Sequence, residues 1–441
     1  MKLEGLLWGA AWLGAMWACN SDDAESAKPV TDAGSDAAQD AGPRKLAQQS
    51  FSGFTAWASP IDDFLAVGQS VQGDNFNHSI NDLAAMGDRL FIAYGDADYN
   101  LGEHTPIEIR YFASLDDPTA QPATIDGAGQ GEVQTTPYQS GEEQIDRYRL
   151  LDGVLWQAGI DSIDPDELWT QANTSPKGIQ GNIYRFEGDG WKKFRSINGG
   201  EHVHDATRYK GALYAVGSGA DTRLEFEGGQ IFRYLWRSSD QGVSFETVQR
   251  VQYPLLGAGD TRWVTLLPTS GNLYLFGYEA AFAGNSANVM NAQFDGQAVT
   301  NLPPTHSLAK LFPDDVLVLS DSSTVLWGAD VTVSPTRHTA GTVSADGTFQ
   351  ALATLAGATL VDAALASDSD EIVYLVTAGD EYGATKTSYD VRVLVADVGD
   401  PDTTTELMSF TTSIEPTSIA AWKGALFLGT ADGHVEKAVA N

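Results

Sequence analysis

The chain has 441 residues, 42% of them hydrophobic and 10% aromatic, with 45 glycines, 17 prolines and one cysteine. Twenty-six lysines and arginines against 59 aspartates and glutamates give a formal charge of −33. That balance argues against a nucleic-acid surface and against electrostatic adsorption to anionic lipid, both of which need basic patches. The acidic residues are spread along the chain, which fits solubility in an exposed, salty compartment; calcium or a cationic partner is the sharper alternative.

Residues 1–18 hold Lys2, an apolar run from Leu6 to Ala18 and then Cys19. This is a secretory signal pattern, too short to span a bilayer. With Met16 at minus three and Ala18 at minus one, Cys19 resembles a bacterial lipoprotein processing site, which implies lipidation at that cysteine. Residues 19–49 are Asp, Ala, Ser, Gly and Gln with almost no aliphatic bulk, the composition of a disordered acidic tether. From residue 50 to 441 the composition turns aromatic and β-branched with glycine punctuation and does not change again, so this stretch reads as one domain.

Seven copies of one phrase, a small or polar residue, an aliphatic and usually an aromatic, run through that domain. They centre on Leu90, Leu155, Leu213, Leu273, Leu317, Val373 and Leu426, spaced 65, 58, 60, 44, 56 and 53 residues apart. This is the period of a four-stranded blade, and it predicts an all-β, seven-bladed β-propeller with one small core per blade interface. Each phrase follows a short segment and precedes a hairpin marked by Gly or Asp-Gly, as at 183–194, 230–248, 292–299, 342–352 and 391–400. The last unit ends after the candidate strand His434 to Val439, while Asp63 to Gly68 reads as a strand without a unit of its own. An N-terminal strand is therefore expected to complete the seventh blade and close the ring; eight blades follow only if residues 51–77 supply more strands.

Ser238, Asp240, Gly242 and Phe245 fit an Asp-box, Ser-x-Asp-x-Gly-x-x-aromatic, on a turn between third and outer strands. Asp240 should accept hydrogen bonds from the turn, Gly242 supply positive φ, and Phe245 plug the blade interface. On this motif and the repeat, the chain resembles Asp-box (BNR-type) propellers of the sialidase-like superfamily; Ser344 to Phe349 is a shortened second copy. The resemblance implies a structural role for the box. Sialidases would also carry Arg-Ile-Pro near the start, an arginine triad and a Tyr activated by Glu. This chain has Ile109-Arg110-Tyr111 instead, and non-catalytic relatives that share the box bind partners.

In a propeller, the lead-ins to the inner strands and the loops between second and third strands converge on one face around the channel. Alignment on the phrase puts His78, Asn81, Asp82, Glu143, Arg147, Glu201, His202, His204, Asp260, Arg262, His306 and Glu415 at that mouth. His202 and His204, two apart on a strand, point to one side and would meet one ion if His78 or His306 joined them; rim histidines without metal are the plainer reading. Asp96, Asp98 and Asn100 alternate as in calcium loops, though the glycine falls one place late and Ile107 occupies position twelve; a calcium loop and an acidic turn both stay open. Asp161 to Glu167 is a weaker acidic run, and Trp169 with Asn173 would suit a sugar ring or loop packing. Nucleotide and serine-hydrolase motifs are missing from the sequence.

These readings converge on a monomeric, non-catalytic propeller, lipid-anchored in the cell envelope on a periplasmic or surface face, that binds a protein or glycan through its channel face. A diverged sialidase-like glycoside hydrolase or lyase is the alternative, with Arg147 or Arg262 gripping a carboxylate and Glu143 or Glu201 as acid or base.

Overall fold

A computed structural model describes residues 45–441 apart from 100, 128–135, 163–179, 223, 226–227, 253–258, 282–286, 320–322 and 385. The expected signal peptide, Cys19, most of the expected tether, Asn100, Trp169 and Asn173 lie outside the described residues, as does most of the 161–167 run. The rest forms seven sheets arranged as the blades of a β-propeller. The inner strands are Asp82–Met86, Tyr148–Leu151, His202–Tyr209, Gly259–Pro268, Leu311–Val318, Ala358–Leu365 and Pro416–Trp422, of blades 1 to 7 in that order.

The repeated phrase marks the second strand of each blade, and the cores explain its composition. Leu213 and Ala215 pack between blades 2 and 3, whereas Tyr214 and Val216 of the same strand pack between blades 3 and 4. A strand buried on both faces shows no polar alternation, so Ala212–Gly219 and Ala425–Thr430 are buried at every position. Trp156, Trp191, Trp236, Trp263, Trp327 and Trp422 are all buried in these interfaces.

Blade 7 takes its outer strand from the start of the domain: Thr55–Ala58 pairs with Val435–Val439. Ring closure is as the sequence predicts, but by other residues. Asp63 to Gly68, read as a strand, lies in the helix Asp62–Gln72. Its acidic first turn favours the helix N-terminus, and Phe64 and Gly68, one turn apart, form the buried face, with Phe64 against Phe76 and Tyr94. Residues 51–77 thus add one strand, and the ring has seven blades, not eight. The fifth phrase is also displaced: Val316 to Val318 belongs to the inner strand, and the second strand is Thr324–Asp330. Centring that copy on Leu326 replaces the spacings 44 and 56 by 53 and 47. Finally, residues 45–49 belong to the propeller, because Leu46 is buried against blade 6 and its N–H, with that of Ala47, donates to Glu371.

Inner strands of blades 3 to 7 share a β-bulge, at His204, Val264, Asp314, Val361 and Thr417. The bulged backbone presses on the second strand, where a Cβ on Gly217 or Gly277 would lie 1.9 Å from the His202 or Arg262 carbonyl oxygen. Directly after three of these bulges comes an aspartate. Asp205 accepts the Ala206 N–H and reaches into blade 4 to accept the Leu266 N–H, both at 2.8 Å. Asp362 does the same with Ala363 and with Ile419 of blade 7, both at 2.7 Å. In blade 1, Asp82 accepts the Tyr148 N–H of blade 2 at 2.7 Å. Asp315 instead turns across the channel to two arginines of blade 2.

Two consequences are measurable. Asp205→Ala strands two backbone donors and a buried arginine, so urea unfolding is expected to show a loss of about 3–5 kcal/mol. Burial holds the Asp82 carboxyl up at about 6, and burial, with Asp82 nearby, raises Asp362 further. A raised folded-state pKa means the contribution is present below the ordinary carboxylate range and is lost as pH rises through about 6. Asp82→Asn, which keeps an acceptor for Tyr148, should therefore raise stability by up to about 3 kcal/mol near pH 8 and leave it unchanged near pH 4. Thermal melts of the two proteins compared across that range would test this.

Candidate functional site

The channel is crossed by an ion-pair network that defines a floor. Arg149 of blade 2 donates to both oxygens of Asp205 in blade 3, at 2.8 and 3.1 Å, and to Asp315 and the Val316 carbonyl of blade 5, at 2.5 and 2.8 Å. Arg147 adds a second contact to Asp315 at 2.9 Å. Asp205's side chain is inaccessible and Arg149's is 11% exposed. The desolvated pairs hold one another in place, and blades 2, 3 and 5 are joined across the axis.

Above this floor the side of the mouth built by blades 2 to 4 gathers two imidazoles and two guanidinium groups, each guanidinium paired with a carboxylate. The rings of His202 and His204 stack at 5.8 Å with 14° between planes. His204 is nearly buried; burial first, and then Arg262, His202 and Arg147, push its pKa well below the usual imidazole range and keep it neutral. Arg262 is held by Asp260 at 2.6 Å, and Asp260 also lies 3.5 Å from the Tyr278 hydroxyl. Glu201 lies 3.6 Å from His202.

The facing side, from blades 5 and 6, is acidic. Asp314, the bulge residue of blade 5, has its carboxyl raised to about 6 by burial; it accepts the Tyr382 hydroxyl at 3.2 Å and stands 3.6 Å from His338 Nδ1. Tyr382 is raised in turn, by burial and then by Asp314, and stays protonated. Three buried polar atoms around the mouth have no hydrogen-bond partner among the described residues: His204 Nε2, Asp260 Oδ1 and His338 Nδ1. Such atoms are rare in folded proteins and mark places where a water or a ligand group belongs.

Of the residues expected at the mouth, Arg147, Glu201, His202, His204 and Arg262 come together. Glu143 does not: it is buried and accepts the Gly102 N–H at 2.5 Å, so it braces a blade 1 loop. His78 packs on Phe76 at 3.9 Å, away from the histidine pair. His306 sits against Tyr274 and accepts the Leu308 N–H, between blades 4 and 5 near the turn 344–348. The shared-ion arrangement of His202 and His204 with His78 or His306 therefore does not form, and the guanidinium groups beside His202 and His204 oppose a cation there. Asp96 uses both carboxylate oxygens on the backbone N–H groups of Asn77 and Tyr99, while Asp98 is exposed. Among the described residues no group of three His, Cys, Asp or Glu side chains could hold a metal ion. Arg110, of the Ile-Arg-Tyr stretch, pairs with Asp63 and Glu108 and carries structure.

The eight-residue box behaves as its chemistry predicts. Ser238 Oγ donates to Asp240 and accepts the Gly242 N–H; Asp240 accepts the Ser244 hydroxyl and N–H, which with the Ser238 hydroxyl hold its carboxyl down at about 2. Gly242 has φ +88° and Phe245 packs into the blade 2–3 core. The Ser344 to Phe349 turn repeats the Ser-to-Asp bond. Sequence reasoning missed Arg149, Asp205, Asp314, Asp315, Asp362, His338 and Tyr382. A signal existed for one of these: Asp205, like Asp82, Arg147, Thr265 and Ser418, stands eight residues before the central residue of its phrase.

No protein-family model matches the chain, and no curated protein matches it. Solved structures do. Virginiamycin B lyase from Staphylococcus aureus is 14% identical, with 83% of this chain and 96% of that one covered and a TM-score of 0.39. The β-propeller domain of the Trilobed protease from Pyrococcus furiosus is 8% identical over 82% and 92%, with a TM-score of 0.42. Trypanosoma rangeli sialidase is 14% identical over 72% and 57%, with a TM-score of 0.36. Likenesses this distant say nothing about chemistry.

Proposed function

We propose that this chain is a non-catalytic binding protein, tethered to the cell envelope through lipidated Cys19, that captures a carboxylate-bearing glycan or protein on its channel face. The observation that carries the reading is the orphaned, neutral His204 Nε2, which feels the charges of Arg262 and Arg147, in a chain with charge −33. Arginine with an imidazole suits a carboxylate, and the facing acidic wall of Asp314 and Tyr382 suits hydroxyl donors, as on a sugar. The Arg149 network below limits capture to the mouth, since it crosses the axis. Spread-out acidic charge supports the exclusion of nucleic acid, and attachment to membrane is proposed through the lipid alone, with the propeller as a monomer.

A second reading, a diverged sialidase-like hydrolase or lyase, is favoured by one observation: Asp314, held near 6, has the titration range of a general acid. Two features weigh against it. Tyr382 stays protonated instead of being activated, and Glu143 is consumed by Gly102.

Surface plasmon resonance of the full chain against sialyllactose and oligogalacturonate, with lactose and methyl-esterified oligogalacturonate as neutral controls, tests the proposal. Retention of the acidic sugars, lost by about tenfold or more in His204→Ala with Arg262→Ala, is expected. Equal binding of the neutral sugars, or capture unchanged in that variant, would overturn it. Release of reducing ends or unsaturated uronate from the same sugars would favour the second reading.

Titration of Asp314 gives a further expectation. Above about 6 it adds a negative charge near Arg147, so affinity for an anionic sugar should fall between about pH 5 and pH 7.5 in the parent chain. In Asp314→Asn that fall should disappear; the same titration repeated on the variant is the check.

A further inference from the structure

A second concavity opens on the same face, in blade 6. The loop between its second strand, Glu371–Ala378, and third strand, Tyr389–Asp397, folds over towards blade 5 and is fixed there by backbone bonds. His338 N–H donates to the Asp380 carbonyl at 2.6 Å, Tyr382 N–H donates to the Thr336 carbonyl at 3.0 Å, and the Arg337 side chain pairs with Asp380 at 2.6 Å. Under this loop lies a cavity of about 110 Å³ with a floor of Thr359, Val361 and Pro416 and charged walls of Lys386, Glu381 and Glu415. Its walls are preformed, because the loop is tied to its neighbour before anything binds.

Size and charge limit the occupant. A dry cavity of roughly 150 Å³ takes benzene, so about 110 Å³ accommodates roughly four to six non-hydrogen atoms. Lys386 Nζ is held in place by the Ala378 carbonyl at 2.9 Å and Thr377 Oγ1 at 3.4 Å, bonds that account for two of its three donors. His338, in the same wall, has a pKa lowered by burial and by Lys386, and so offers a neutral imidazole. The carboxylates of Glu381 and Glu415 line the same cavity, and Glu415 also takes the Tyr389 hydroxyl. The lining thus offers one ammonium and a neutral imidazole to an anion and two carboxylates to an ammonium.

We propose that the blade 6 cavity is a second binding site, for a small zwitterion carrying a primary amine and a carboxylate, of the size of glycine or alanine. Lys386 and His338 hold the carboxylate, and Glu381 with Glu415 holds the ammonium. This site is separate from the histidine and arginine cluster of blades 2 to 4 and does not depend on the reading given to that cluster.

Isothermal titration of the full chain with L-alanine and with glycine tests it, with glycinamide and N-acetylglycine as probes that each lack one charge. Saturable one-to-one binding is expected, with a Kd of roughly micromolar to millimolar for so few atoms. Each singly charged probe, and each of Lys386→Met and Glu415→Gln, should weaken it by about tenfold or more. Melting curves of both variants establish that they fold. His204→Ala should leave alanine binding unchanged, which separates failure at this site from failure at the mouth. No saturable heat with either amino acid, equal binding of the singly charged probes, or full retention in both folded variants would overturn the proposal.

Discussion

The bidentate hold of Arg149 on Asp205, extended to Asp315, is the interaction on which the rest of the channel depends. A propeller otherwise coheres by contacts between neighbouring blades, each with its own small core. Here one guanidinium ties blades 2, 3 and 5 together across the axis, and the Asp205 carboxylate continues the connection to a backbone N–H of blade 4. Charges buried this deeply are tolerated because every partner is in place; removal of one leaves the others stranded in a poor dielectric.

The mouth is a by-product of how the inner strands are built. A β-bulge in blades 3 to 7 turns one extra residue out of the regular pleat, and the following residue then reaches the next blade. A device that locks adjacent blades thereby also sets the bulge residues at the mouth. Where these are His204 and Asp314, the mouth acquires a neutral imidazole and a carboxyl titrating near neutrality; where the bulge residue is Val361, the blade 6 cavity has an apolar floor. Guanidinium and imidazole groups on blades 2 to 4 thus face the Asp314 carboxyl of blade 5.

Much of this was legible in the sequence for a specific reason. The second strand of a blade is buried on both sides, so its apolar run survives every loop-length change and stands out as the repeated phrase. Where the reading slipped, local pattern was ambiguous. Val316 to Val318 is as apolar as a second strand because it leads into the core from the inner one, and Asp63 to Gly68 is a six-residue window in which helical and extended periods cannot be told apart. The helix becomes apparent only over its full length, with Phe64 and Gly68 on one face. Glu143 and His306 lie near the right register, but Glu143 turns to a blade 1 loop and His306 packs between blades 4 and 5, and register alone does not set direction.

The sequence by itself determined the all-β propeller, the closure of the ring by an N-terminal strand, the Ser238–Phe245 turn and the grouping of Arg147, Glu201, His202, His204 and Arg262 on one face, with seven blades expected and eight left open. Each of these follows from local chemistry repeated at a fixed period. Only the tertiary structure decided that Arg149 meets Asp315 across 166 residues of chain, that His204 feels the charges of Arg262 and Arg147, and that a cavity opens under the blade 6 loop. Those depend on how blades distant in sequence are brought around a common axis, and the pairing of charges there is set by distance and desolvation that no local pattern encodes.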